Sequence, residues 1–236
     1  MSTRGLYGFR KNGIDKLTYN HSDSYPDWLG DAMITFCKNT SIEEMNAIFN
    51  RIVLVDEHDK PTKKQIEECI KYYNGNVGTQ KVEDWYCLLR NTQGNLNVYK
   101  DGLKYMIDSQ DFIYDSLFCE YAYIINLDEE CLEFYVGFQK TPEEFNRYGT
   151  ESDDGYYPCK IVAEFWLNDI VNSTVEDIVE DMNEAVDKEF NGDTEEQEEE
   201  RDVTEDDLYC IAEDIKNGFT SAYLDNGIKW RLEFDI

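Results

Sequence analysis

The stretch TRGLYGFRKNGIDKLTYNHSDSYPDWLG, Thr3 to Gly30, decides how the chain begins to fold. Leu6, Tyr7 and Phe9 are strand formers, and Lys11-Asn12-Gly13 follows them as a tight-turn signal. Asn-Gly suits a hairpin because both residues tolerate positive φ. Ile14, Leu17 and Tyr19 carry the return strand. Gly5 and Gly8 leave gaps in the first strand, the mark of a bulge or of close backbone approach. Tyr19 to Pro26 (YNHSDSYP) is neither alternating nor helical, so it reads as a loop held by side-chain hydrogen bonds. Loops of that kind carry function. The same residues also suit a structural corner, with Asp23 and Ser24 bonding backbone amides and tyrosines capping the core.

Working outward, Asp31 to Asn50 has helical spacing, with Leu29, Met33, Ile34 and Cys37 before a break at Asn39-Thr40. Ser41 and Glu44 then form a capping box for a second helix through Met45, Ile48 and Phe49. Ile52 to Val55 is a compact apolar run, expected as a buried strand. His58 falls in the solvated turn after it, and Thr62 opens a helix that Asn74-Gly75-Asn76 stops. Trp85 to Ile107 reads as helical on both sides of Asn91 to Gly94. Tyr121 to Leu127 and Cys131 to Phe138 predict an antiparallel hairpin about Asp128-Glu129-Glu130. A loop from Thr141 to Pro158 leads to a strand, Cys159 to Leu167, with Ile161, Ala163, Phe165 and Leu167 on one face. Val175 to Phe190 reads as an acidic amphipathic helix burying Val175, Ile178, Val179, Met182, Ala185 and Val186. Asp207 to Gly218 predicts another helix, and Ala222 to Ile236 a hairpin about Asp225-Asn226-Gly227. The whole is α+β: hairpins packed with helices, an acidic C-terminal helix and a small terminal hairpin. The expected division is a main domain over 1–190, an acidic linker over 191–206, and a unit over 207–236 that could complete the main sheet.

Charge is the dominant global signal. The 236 residues hold 51 acids and 22 bases, a formal net charge of −29. Between Glu176 and Asp214 stand nineteen acids against two bases, Lys188 and Arg201. Such a chain is not expected to bind nucleic acid by neutralising phosphates. It suits a basic protein surface instead. Glu176, Glu180, Asp181 and Glu184 would face such a partner from the acidic helix, with Arg4, Asn20 and Tyr25 as binding groups near the first loop. The seven cysteines form no CxxC pair, and no secretory signal or membrane-length apolar run is found. These features predict reduced thiols in a cytoplasmic protein. No metal-ligand spacing, P-loop or dinucleotide fingerprint is present, so no cofactor or metal is expected.

The wording of Thr3 to Gly30 resembles a group of uncharacterised proteins of bacteriophages and Firmicutes genomes, and the likeness extends through NGNVGTQ (Asn74 to Gln80), FCEYAYIINLD (Phe118 to Asp128) and YYPCK (Tyr156 to Lys160). That resemblance implies a setting in a bacterial host cell. There, acidic phage proteins can inhibit host nucleic-acid enzymes by presenting carboxylates where phosphates lie. An N-terminal hairpin followed by helices and a second hairpin also resembles the four-layer αββα sandwich of the N-terminal-nucleophile hydrolases. In that alternative the chain is an amide-bond hydrolase. Ser2 (exposed on removal of Met1) or Thr3 (after a further cleavage) is then the nucleophile, with His21 and Asp23 beside it. A third reading is a small-ligand pocket built from Tyr7, Tyr19, Tyr25 and Tyr123.

Overall fold

Asn12 and Gly13 both take positive φ, 52° and 71°, and turn strand β1 (Gly5–Lys11) back on strand β2 (Ile14–Asn20). In this computed structural model the described residues are 2–152 and 154–192, with the backbone of Ser221–Tyr223 and Lys229–Arg231. The hairpin is unbroken in register from Gly5↔Asn20 to Lys11↔Ile14, so the two glycines mark close approach and no bulge. A Cβ on Gly8, where φ is +155°, would stand 2.1 Å from the carbonyl oxygen of Lys16. One on Gly5 would stand 2.5 Å from the carbonyl oxygen of Tyr121.

The fold is α+β, as the periodicities predict. After a π-helical turn at Pro26–Gly30 come α1 (Asp31–Lys38) and α2 (Ile42–Arg51), the latter capped by Ser41 accepting from the Glu44 amide. Strand β3 (Val53–Val55) and helix α3 (Lys63–Cys69) follow, and Thr62 and Gln65 make the reciprocal capping box at the start of α3. The helical reading of Trp85 to Ile107 is corrected. That region holds two four-residue helices, α4 (Trp85–Leu88) and α5 (Asn97–Lys100), and then a strand, β4 (Tyr105–Ile107). Gly94 and Gly102, at φ 74° and 98°, break the helical path. β4 pairs in parallel with β3, and this two-stranded sheet leaves Val53 50% exposed, so β3 is not the fully buried strand expected.

Strands β5 (Tyr121–Asn126) and β6 (Cys131–Val136) form the predicted hairpin, and β7 (Lys160–Trp166) adds to β6 antiparallel. β5 lies parallel beside β1, which completes a five-stranded mixed sheet in the order β2-β1-β5-β6-β7. The second large sheet that a four-layer sandwich requires is not found among the described residues, whose other sheets have two strands each. Helix α6 (Leu167–Asn172), which the periodicity did not suggest, leads to α7 (Val175–Asn191).

Both faces of the sheet are covered, which is why β5 and β6 are buried along almost their whole length. Tyr7, Phe9, Tyr123, Ile125, Leu132 and Phe134 join the large core with α1, α2 and the inner face of α7. Leu6, Leu17, Ala122, Ile124 and Tyr135 face the other way, toward Ile113, Cys119 and Cys159. A register shift at Phe134/Tyr135 places Ile161 on the second face while Ala163 and Phe165 stay on the first. The single-face reading of Ile161 to Leu167 is corrected accordingly, because one extra residue flips a strand's faces. On α7, Ile178, Val179 and Met182 are buried as expected.

The chain divides into two compact units, Met1–Glu189 and Phe190–Ile236. In the second, β8 (Ser221–Tyr223) pairs antiparallel with β9 (Lys229–Arg231). The turn expected between them, the helix at 207–218 and nearly all of the linker at 191–206 lie outside the described residues. No helix among the described residues is long and apolar enough to cross a membrane.

Candidate functional site: an acidic cleft that holds both histidines

Four segments far apart in sequence meet at one cleft of about 860 Å³. The N-terminal hairpin supplies Arg4, Tyr19 and His21; the turn after β3 supplies Asp56, Glu57 and His58; α4 supplies Tyr86; and the segment after β4 supplies Asp108 to Phe112 and Asp115. The parallel pairing of β3 with β4 is what brings the second and fourth together, since both chains leave that sheet in the same direction. The Asp108 amide donates to the Val55 carbonyl at 2.9 Å, and the Ser109 amide to that of Leu17 at 3.0 Å.

The hairpin wall is held tightly. The His21 amide donates to Gln93 Oε1 at 3.1 Å, and Arg90 Nη1 donates to the same oxygen at 2.8 Å. The His21 ring shares a hydrogen bond at Nδ1 with the Tyr19 hydroxyl, 3.1 Å, whose direction follows the tautomer. Tyr19 in turn packs edge-on against Phe112, with ring centroids 5.2 Å apart. Burial, then the positive charges of Arg90 and Arg4, lower the His21 pKa below its ordinary value. Burial raises that of Tyr19. The Arg4 guanidinium lies over the Phe118 ring, 5.2 Å from its centroid.

The remaining walls are acidic. Asp56 accepts from the His58 amide at 2.8 Å, fixing the turn that presents His58. Crowding around the Glu57 carboxyl, then the charge of Asp84, raises its pKa although the residue as a whole is exposed. Five carboxylates (Asp56, Glu57, Asp108, Asp111, Asp115) therefore share the cleft with three aromatic rings and a single guanidinium.

The residues singled out from sequence fall differently. Arg4 and His21 line the cleft. Ser2 donates its hydroxyl to the backbone carbonyl of His21 and makes no hydrogen bond with the ring. Thr3 is buried, with its carbonyl accepting from the Ser24 amide at 3.3 Å. Asp23 is exposed in a left-handed conformation, φ 57°, and is not among the residues lining the cleft. Asn20 is corrected from a binding group to a corner: it is buried, and its Nδ2 donates to the Ser22 carbonyl and Ser24 Oγ at 2.6 and 2.9 Å. Tyr7 and Tyr123 are core residues with no exposure, donating to the carbonyls of Thr92 and Ser24, and Tyr25 lies at the surface. The four tyrosines thus form no common pocket; only Tyr19 reaches the cleft. Glu176, Glu180, Asp181 and Glu184 are all exposed on α7 and have no cationic partner among the described residues. His58 lies in the exposed turn expected for it, and its place in the lining of the cleft, like those of Tyr86 and the acids after β4, was not legible in the sequence.

A second cluster, Cys131, Glu133 and Glu164, brings three potential metal-ligating atoms within 4.8 Å of one another. Its chemistry is already engaged. Arg147 pairs with both oxygens of buried Glu133, which also accepts from Asn126 Nδ2 at 2.7 Å and from the Tyr135 hydroxyl at 3.0 Å. Burial, then the charge of Glu133, pushes the Cys131 thiol up to about 12. No family model, no curated protein and no solved structure matches the chain.

Proposed function

We propose that this chain is an acidic interaction protein that holds a basic protein partner through its carboxylates, and that the cleft receives a cationic side chain of that partner. The observation that carries this reading is the composition of the cleft: five carboxylates and the rings of Tyr19, Tyr86 and Phe112 against the guanidinium of Arg4. A lysine or arginine entering it would gain ion pairs with the acids and cation–π contact with the rings, which contribute more as water is excluded. The outward acids of α7 offer a second acidic surface, and exposed charges of one sign speed encounter with an oppositely charged partner. The resemblance of Thr3 to Gly30 to phage proteins is in keeping with a nucleic-acid-binding host protein as that partner, whose phosphate-binding surface a set of carboxylates would occupy.

The test is titration of the protein with a lysine-rich peptide, beside the double variant Glu57→Gln/Asp111→Asn. Each exposed pair is worth up to about 1 kcal/mol, so losing two should weaken binding roughly tenfold. Equal affinity for the variant and the parent would remove the cleft from the account.

A further inference from the structure

We propose that Phe118 and Phe138 form an apolar ledge beside the cleft, and that it takes a large apolar side chain of the basic partner. That side chain stands next to the cationic residue that enters the cleft. The inference rests on the reading of the cleft as a receptor for such a partner, and it states what else the docking segment carries.

Phe138 is an exposed ring on a strained backbone. Six described residues other than glycine have positive φ, and five of them (Asn12, Asp23, Gln80, Glu130 and Asp154) are polar. The sixth is Phe138, at φ 56°. A bulky side chain rarely adopts the left-handed region, whereas glycine takes it freely. Burial offsets little of that strain, because Phe138 is 42% exposed. Hydrogen bonds around the residue nevertheless hold it in place. The Phe138 amide donates to the carbonyl of buried Ser116 at 2.6 Å, and the Gln139 amide donates to Ser116 Oγ at 3.3 Å. Gln139, itself buried, donates from Nε2 to the Gly137 carbonyl at 2.9 Å. Strain that neighbouring groups impose in this way gathers at ligand-binding positions.

The turn that holds Phe138 also carries the second ring and joins the cleft. Phe118 is 46% exposed, and the amides of Phe118 and Cys119 donate to the Asp115 carbonyl at 3.0 and 2.8 Å. Asp115 lines the cleft and directly precedes the serine that holds Phe138. Arg4 lines the cleft as well, with its guanidinium over the Phe118 ring. Glu120 fixes Arg4 twice: its amide donates to the Arg4 carbonyl at 3.0 Å, and its Oε1 accepts from the Arg4 amide at 3.2 Å. The Glu120 carbonyl accepts from the Gly137 amide at 2.9 Å, so the backbone leading into Phe138 is anchored at the same point.

Charge then selects what each part takes. The five carboxylates of the cleft attract a cation. At the ledge the Arg4 guanidinium repels a second cation, and the exposed rings gain most from covering by apolar surface.

The experiment compares two lysine-rich peptides of equal charge by calorimetric titration of the full chain, one with alanine and one with leucine on both sides of the central lysine. The leucine peptide should bind about tenfold tighter, the scale of partly burying one large apolar side chain. That ratio should hold as salt rises, because apolar contact is not screened. Phe138→Gly removes the ring and the strain together, so it should raise the urea midpoint while removing most of the leucine preference. Phe118→Ala should reduce the preference independently. Equal binding of the two peptides, or a preference that survives Phe138→Gly, would overturn the ledge and leave the acidic cleft standing. A lower midpoint for Phe138→Gly would show that the fold itself requires the ring, which also counts against the ledge. Failure of both peptides to bind would overturn the reading of the cleft and the ledge with it.

Discussion

Glu133 is buried against Arg147: the guanidinium pairs with its carboxyl group from a side chain that is 27% exposed, while Glu133 is at 3%. Removing one partner of a buried pair leaves the other uncompensated. Arg147→Met should therefore cost about 3 kcal/mol, read as a lower urea midpoint, with Asn126 and Tyr135 still bonding the carboxylate. An unchanged midpoint would mean that the hydrogen bonds alone suffice. At His21 the prediction concerns pH. Its pKa is lowered in the folded protein, so the folded state binds fewer protons than the unfolded chain in the window below the ordinary value of 6.5. The stability this contributes is complete above 6.5 and is lost as pH falls through the folded pKa. The Hε1 resonance of His21, assigned with His21→Gln, should accordingly titrate with a midpoint under 6.5; a midpoint at or above it would contradict the placement of Arg4 and Arg90.

Among the elements, the β1–β2 hairpin was the most legible in sequence, and its physical basis can be tested at Gly8. An added methyl there meets a backbone oxygen that cannot swing away, at a φ that other residues rarely adopt. Gly8→Ala should cost more than about 2 kcal/mol in chemical denaturation, and a variant as stable as the parent would count against this register. The β5–β6 hairpin was legible as two apolar runs about an acidic turn, buried on both faces, and α7 because its buried residues keep helical spacing. β4 was not, because Tyr105-Met106-Ile107 is too short to show a period and follows apolar residues at helical spacing. Its parallel partner β3 lies 52 residues back (Val53↔Tyr105), and no local signal announces a pairing of that kind. The faces of β7 were misread because a register shift with one extra residue leaves no mark in the sequence.

For the whole molecule, the misreading of β4 is what hid the site. Arg4 and His21 stood out as polar groups beside a hairpin, but His58, Tyr86 and the acids after β4 join them only through the β3–β4 sheet. The proposal of a basic partner rests in part on composition, a net charge of −29. If the attraction is between exposed charges, binding of a lysine-rich peptide should weaken steeply between about 0.1 M and 1 M salt, as the Debye length falls from about 10 Å to about 3 Å. A flat salt dependence would point to apolar contact instead. The central claim is that the cleft itself is where the basic partner enters. Because the two histidines of the chain both line that cleft, their ring resonances report on it directly. The decisive measurement is an NMR titration of the histidine Hε1 signals with a basic peptide at low salt. The account predicts that both signals shift and saturate together with binding measured by calorimetry. Saturating binding that leaves both signals unmoved would place the partner elsewhere, on α7 or beyond, and contradict it.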